Sequence, residues 1–139
     1  MAGYSAKPLV QKLGIKPGFC IFVDGAPSAY RNIVGGLPPE VKIAARLKPP
    51  LDMVHLFATK ASALRGKLPA CRDAIMPDGM LWVSWPKKSS GVATDLTDDV
   101  VRDTGLSLRL VDIKVCAVDE TWSGLKFVIP KAQRKKRLA

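Results

Sequence analysis

Polar and aromatic side chains that could bind a ligand fall where apolar runs of the sequence end. Asp24-Gly25 follows one such run, and Trp85 closes another, with Lys87 and Lys88 just beyond it. Indole rings can stack on a planar ligand, and ammonium groups can neutralise an anionic one. In chain order, the candidate ligand-binding residues are Asp24, Gly25, Thr59, Trp85, Lys87, Lys88, Ser89, Asp119 and Trp122.

Several of these residues also have a purely structural interpretation. Asp24-Gly25 is typical of a tight turn, and Trp85 and Trp122 could pack on each other as caps of a core. Thr94, Asp95 and Thr97 are expected to cap a helix. The single histidine, His55, lies among apolar residues, so we expect it to be buried and hydrogen-bonded rather than catalytic.

No familiar catalytic or metal-binding motif is present in the sequence. There is no G-x-S-x-G elbow and no P-loop, and residues 24–29 keep only the first glycine of G-x-G-x-x-G. Pro27 also removes a backbone donor that a pyrophosphate would use. One histidine and the widely spaced Cys20, Cys71 and Cys116 lack the paired spacing of a metal site. We therefore assign no catalytic residue and no metal, and we expect reduced cysteines in a cytoplasmic protein.

The elements that would position the candidates alternate between apolar strands and amphipathic helices. Continuous apolar strands are typical of parallel sheets that are buried on both faces. A short loop at 119–124 indicates a final antiparallel hairpin. Pro69 is expected to kink or split its helix, and 77–79 is expected to be a turn. The predicted strands are 19–23, 41–47, 53–58, 80–85, 108–118 and 125–129, and the predicted helices are 5–13, 28–34, 61–75 and 97–105.

The length and charge of the chain restrict the classes of protein to which it can belong. The chain has 139 residues, a length that suits one domain. Its 22 Lys+Arg against 12 Asp+Glu give a net charge of +10. No apolar run approaches the ~20 residues of a membrane span, and the start lacks a signal-peptide core. Residues 131–139 are predicted to be a basic tail, which could bind nucleic acid or simply remain solvated. Its candidate contacts are Lys131, Arg134, Lys135, Lys136 and Arg137.

The stretch from Leu51 to Lys87 resembles the second half of a Rossmann-like methyltransferase domain. Residues 51–55 are similar to the fourth strand of that family, and 75–83 are similar to the segment leading into its next strand. The resemblance implies S-adenosylmethionine as cofactor, with Asp24 or Asp119 at the ribose and Trp85 stacked on adenine. The chain departs from the family at 24–27, with one glycine, and at Arg46, where the family has an acid.

A second resemblance covers nearly the whole chain. Residues 12–18, 82–88, 93–97 and 115–126 are similar to a bacterial domain-of-unknown-function family. This resemblance implies a bacterial source, but the family has no assigned activity that could be transferred to this chain.

The predicted fold is a small, open, mostly parallel Rossmann-like α/β sheet with helices on both faces and a C-terminal antiparallel hairpin. Residues 1–130 are predicted to form this single domain. The departures from the methyltransferase pattern favour a non-catalytic module that binds a small anionic ligand or a protein partner at the carboxyl ends of the strands. The alternatives are an atypical S-adenosylmethionine-dependent methyltransferase and nucleic-acid binding through the basic tail.

Overall fold

The computed structural model describes residues 8–134, which form a six-stranded sheet with helices on both faces. None of the helices in this part of the chain is long and apolar enough to cross a membrane. The strands are β1 (Cys20–Asp24), β2 (Lys42–Ile43), β3 (Leu51–Phe57), β4 (Ile75–Pro86), β5 (Val111–Ala117) and β6 (Trp122–Val128). The helices are α1 (Leu9–Leu13), α2 (Tyr30–Val34), α3 (Ala61–Ala74), α4 (Asp98–Ser107) and α5 (Lys131–Arg134), with a 3-10 turn at Lys88–Ser90.

The strand order is β2-β1-β3-β4-β6-β5. The first four strands in this order run parallel, whereas β6 is antiparallel to both β4 and β5. The chain leaves β1 for β2 at one edge and then returns to β3 on the other side of β1. The order therefore reverses between β1 and β3, and the predicted fold class is confirmed.

Each face of the sheet has its own hydrophobic core. On one face, α3 and α4 bury side chains such as Leu64, Leu68 and Val101 against β6 residue Phe127. On the other face, α1 and α2 bury Leu13, Tyr30 and Val34 together with β4 residue Trp82. Because the central strands are covered on both faces, their side chains are apolar almost without alternation.

The predicted turn at 77–79 is wrong, and α3 is not split at Pro69. Residues 77–79 are not a turn between elements but lie inside β4, where the register to β3 shifts between Ile75 and Met80. The Pro-Asp-Gly segment is thus accommodated as an irregular bulge. Pro69 neither ends nor splits α3, which continues to Ala74. Pro69 and the residue four positions earlier, Arg65, are both exposed.

Other boundaries also differ from the prediction. The predicted second strand, 41–47, is reduced to the two residues of β2, which pair with Cys20 and Ile21 at the sheet edge. The final hairpin is tighter than predicted, since β6 already begins at Trp122. The predicted start of α1 at 5–7 lies outside the described residues.

The beginning of the predicted basic tail packs on the domain. Residues 131–134 form α5, and the Nη2 atom of Arg72 donates a 2.9 Å hydrogen bond to Oε1 of Gln133. The Nε atom of Arg134 donates to the carbonyl of Ile129 at 2.8 Å. The boundary at 130 remains a prediction.

Candidate functional site

The carboxyl end of β1 brings Asp24 and Gly25 to the point where the strand order reverses. Gly25 has a φ of 74°, and a Cβ atom there would lie 2.7 Å from the carbonyl oxygen of Phe57. The glycine is therefore required by the close crossing of two backbones. The Asp24 carboxylate pairs with Nζ of Lys67 at 3.0 Å. Both residues thus have structural roles at the edge where ligands bind in open α/β sheets.

Three of the predicted residues line one open groove of about 400 Å³. Trp85 lies at the end of β4 and is 6% exposed, while Lys87 and Lys88 follow the strand directly. The opposite wall is the first turn of α4, with Thr97, Asp98 and Asp99, and the groove is completed by Pro86, Leu96, Val115 and Ser123. We call this the Trp85 groove. It combines an indole ring, two ammonium groups and two carboxylates.

Lys87 is fixed by the hairpin that joins β5 to β6. Its Nζ atom donates to the carbonyl of Asp119 at 2.6 Å, and its backbone N–H donates to the carbonyl of Thr121 at 2.8 Å. Lys88 is exposed and begins the 3-10 turn. Lys88 is consequently the more available cation of the Trp85 groove.

Trp122 lies on the opposite face of the sheet from Trp85, so the expectation that the two rings pack on each other is wrong. Trp85 pairs across the strands with Ser123, which places the neighbouring Trp122 on the other face. There its ring stands edge-on to Phe57, with centroids 5.0 Å apart. Trp122 thus belongs to the core beneath α1 and α2, and it does not line the Trp85 groove.

Asp119, Ser89 and Thr59 lie outside the lining of this groove. The Oδ1 atom of Asp119 accepts hydrogen bonds from the backbone N–H groups of Thr121 and Trp122, both at 2.8 Å. Asp119 therefore shapes the hairpin. Ser89 is the middle residue of the 3-10 turn, and the carbonyl of Thr59 accepts a bond from Thr94 Oγ1 at 2.6 Å.

Asp95 and Thr97 cap helices, as expected, whereas Thr94 caps none. The Oδ1 atom of Asp95 accepts a 2.7 Å bond from the backbone N–H of Ala61, the first residue of α3. Thr97 caps α4 by accepting a 3.2 Å bond from the N–H of Val100. Thr94 ties this segment to the turn that precedes α3. Asp95 and Thr97 thus satisfy helix-terminal amides that would otherwise lack partners.

A buried hydrogen-bonded triad surrounds His55, which confirms that this histidine is buried and satisfied. Nδ1 of His55 lies 2.9 Å from the Tyr30 hydroxyl, and Nε2 lies 2.8 Å from Oγ of Ser84. Burial lowers the pKa of His55 to about 3 and raises that of Tyr30 well above its ordinary value. The imidazole is thus neutral. The sequence did not point to Tyr30 or Ser84, because the three residues meet only through the strand pairing.

Within residues 8–134 there is no group of three or more His, Cys, Asp or Glu side chains arranged to hold a metal ion. The cysteines in this range are free thiols, and burial raises the pKa of Cys71 to about 11. Of the candidate nucleic-acid contacts, Lys131 is exposed and Arg134 is half-buried. Lys135, Lys136 and Arg137 lie outside the described residues.

Several solved structures similar to this chain are methyltransferases. The magnesium protoporphyrin IX methyltransferase of Synechocystis, solved with bound S-adenosylhomocysteine, has a TM-score of 0.60 at 11% identity, over 88% of this chain and 78% of that one. A methyltransferase from Aquifex aeolicus gives 0.60 at 12% identity, over 87% of each chain. A precorrin-6Y C5,15-methyltransferase from Geobacter metallireducens gives 0.60 at 11%, over 88% and 86%.

The fold is therefore that of the Rossmann-like methyltransferases, and identities this low show the fold alone. No family model matches the sequence, and no curated protein matches it. The predicted similarity to a bacterial family of unknown function therefore stays a prediction.

Proposed function

We propose that this protein binds a small, charged ligand in the Trp85 groove of its methyltransferase fold. The observation that carries the proposal is that Trp85, Lys87 and Lys88 line a single groove at the carboxyl end of β4. A volume of about 400 Å³ lies within the range of small-molecule sites. In this site the indole would contact a planar group, and Lys88 would neutralise an anionic one.

The charges of the groove narrow the class of ligand. Lys87 and Lys88 on one wall favour an anionic group, whereas Asp98 and Asp99 on the other wall favour a cationic one. A ligand that carries both charges suits this arrangement better than a purely anionic ligand. S-adenosylmethionine has a carboxylate, an ammonium group and a sulfonium group, so its charges are of this kind.

Methyl transfer is the second candidate, and the solved structures support it. The residues at the β1 turn, however, do not fit S-adenosylmethionine in the place that the sequence resemblance implies. The backbone at Gly25 passes close to the Phe57 carbonyl, and Pro27 offers no N–H. After β2, Arg46 stands where the resemblance implies an acid. Asp119 is occupied by backbone amides. We therefore derive no step of methyl transfer from these residues.

A thermal-shift titration with matched variants tests the proposal. The probes are S-adenosylmethionine, S-adenosylhomocysteine and inorganic phosphate. A ligand at about 100 times its Kd adds roughly 2.7 kcal/mol, which is several degrees in Tm. Lys88→Gln removes the available cation of the groove and should abolish the shift, whereas Lys48→Gln, an exposed lysine after β2, should preserve it.

The choice of probe separates the candidate functions. A Lys88-dependent shift with both adenosyl compounds supports the methyltransferase candidate, and methyl transfer would then be sought with candidate acceptors. A Lys88-dependent shift with phosphate alone supports an anion-binding module. An equal loss in Lys48→Gln and Lys88→Gln, or no shift with any probe, contradicts binding of these ligands in the groove.

A further inference from the structure

Four lysines converge on the sheet face that carries α1 and α2, opposite the face of the Trp85 groove. Lys114 on β5 and Lys126 on β6 are direct partners across the two strands, and Lys126 is also paired with Trp82 of β4. The indole nitrogen of Trp82 donates to the carbonyl of Leu13 at 2.9 Å, which anchors the end of α1 over this part of the sheet. We call Lys12, Lys16, Lys114 and Lys126 the lysine patch.

Within residues 8–134, the lysine patch lacks the counter-charges that a structural role would supply. The ion pairs in this range are formed by Lys67 and Arg102, and none involves a lysine of the patch. Residues 1–7 and 135–139 contain no Asp or Glu at all, so they bring no carboxylate side chain to it. Lys114 and Lys126 therefore face each other as uncompensated like charges, an arrangement that destabilises an antiparallel pair.

The lysine charges influence the pKa values of neighbouring groups in the patch. The pKa of Lys126 is lowered, first by its partial burial and then by Lys114 and Lys16. Burial raises the pKa of the Cys116 thiol, and Lys114 and Lys12 act in the opposite direction. The positive potentials of all four lysines thus meet in the small area around Lys126 and Cys116. A folded protein gains no stability from such a concentration of charge.

We propose that the lysine patch binds the phosphate backbone of a nucleic acid. Ammonium groups are phosphate ligands that require no particular geometry, and a binding phosphodiester would relieve the repulsion between Lys114 and Lys126. An anionic membrane surface fits less well, since the apolar residues of α1, Leu9, Val10 and Leu13, pack against the core beneath the helix. The patch belongs to the folded domain, so it is separate from both the basic tail and the Trp85 groove.

Fluorescence anisotropy with labelled single- and double-stranded oligonucleotides, over a series of salt concentrations, tests this proposal in the full-length protein. The variant Lys114→Gln/Lys126→Gln should bind at least about tenfold more weakly, and the slope of log K against log salt should fall by roughly 1.4–1.8. The control Lys48→Gln/Arg65→Gln removes two exposed charges outside the patch and should change both quantities little. The triple variant Lys135→Gln/Lys136→Gln/Arg137→Gln measures the contribution of the tail separately.

Stability gives a second readout that an ordinary structural lysine would not show. Lys126→Gln removes one member of the like-charge pair, so the free protein should melt about 1–3 °C higher while binding becomes weaker. A loss of binding with a lower Tm would be attributed to damaged folding, and exposed Lys114→Gln then decides the matter. The proposal is overturned if Lys114→Gln binds oligonucleotides normally or if only the tail variant loses binding. It is also overturned if the protein binds vesicles rich in phosphatidylserine and does not bind oligonucleotides.

Discussion

The carboxylate of Asp95 accepts a 2.7 Å hydrogen bond from the backbone N–H of Ala61, 34 residues earlier in the sequence. The loop after β4 is thereby fastened to the first residue of α3, next to the point where the strand order reverses. A helix N-terminus at such an edge is an attractive site for an anion. Here one of its donors is already satisfied by the protein itself, which favours the Trp85 groove over the start of α3 as the ligand site.

Replacing Asp95 tests how much this long-range cap contributes. Asp95→Ala leaves the N–H of Ala61 without its partner and should lower the free energy of unfolding by about 1 kcal/mol. Asp103→Ala, an exposed acid on α4, should stay within about 0.5 kcal/mol of the native protein. Urea unfolding at neutral pH measures both. Equal effects of the two substitutions would contradict a capping role.

Substitution of two helical glycines by alanine should change the stability of the protein in opposite directions. A Cβ atom at Gly66 in α3 would meet nothing within 4 Å, so Gly66→Ala should stabilise the protein by about 0.5–1 kcal/mol. A Cβ atom at Gly105 in α4 would overlap the buried ring of Phe127, so Gly105→Ala should destabilise it by roughly 1–3 kcal/mol. Thermal unfolding of the pair decides the matter, and a stabilising Gly105→Ala would show that α4 does not pack on β6 in this way.

The buried His55 links stability to pH. Its pKa falls from an ordinary 6.5 to about 3, because burial disfavours the charged imidazolium. The unfolded chain therefore binds a proton that the folded protein does not. The His55 contribution is complete above about pH 6.5 and decreases as the pH falls towards 3, by up to about 1.4 kcal/mol per pH unit.

Because His55 is the only histidine in the sequence, its NMR signal is unambiguous. The imidazole resonances should not titrate between about pH 5 and 8 in the folded protein. A midpoint near 6.5 would show that the ring is exposed to solvent and that the Tyr30–His55–Ser84 hydrogen bonds are not formed.

The fold class could be predicted because it depends on patterns that are local in the sequence. The apolar runs that became β1, β3 and β4 are nearly continuous, and those of β3 and the second half of β4 are almost wholly buried. The bulge at 77–79 could not be predicted in the same way. Pro-Asp-Gly is a turn signal by itself, and only pairing with β3 turns it into an irregularity within a longer strand.

The candidate site could be predicted only in part, since strand register decides which face a side chain takes. Trp85 and Trp122 both lie at the carboxyl edge, yet the cross-strand pairs Trp85–Ser123 and Pro86–Trp122 send them to opposite faces. By residue type Asp119 is a plausible ligand contact, but its carboxylate binds two amides of its own hairpin. Such contacts are set by geometry between segments, and residue type alone does not reveal them.

The measurement that tests ligand binding in the Trp85 groove most directly is a ¹H–¹⁵N NMR titration of the three indole N–H signals with S-adenosylhomocysteine. Each tryptophan has a different environment: Trp85 lines the groove, Trp82 is fully buried and bonded to Leu13, and Trp122 lies on the opposite face. If the ligand binds in the Trp85 groove, the Trp85 signal shifts in a saturable manner, the Trp82 signal does not move, and Lys88→Gln abolishes the effect. Saturable binding that shifts Trp122 and leaves Trp85 unchanged would contradict binding in the groove, as would the absence of any shift at saturating ligand.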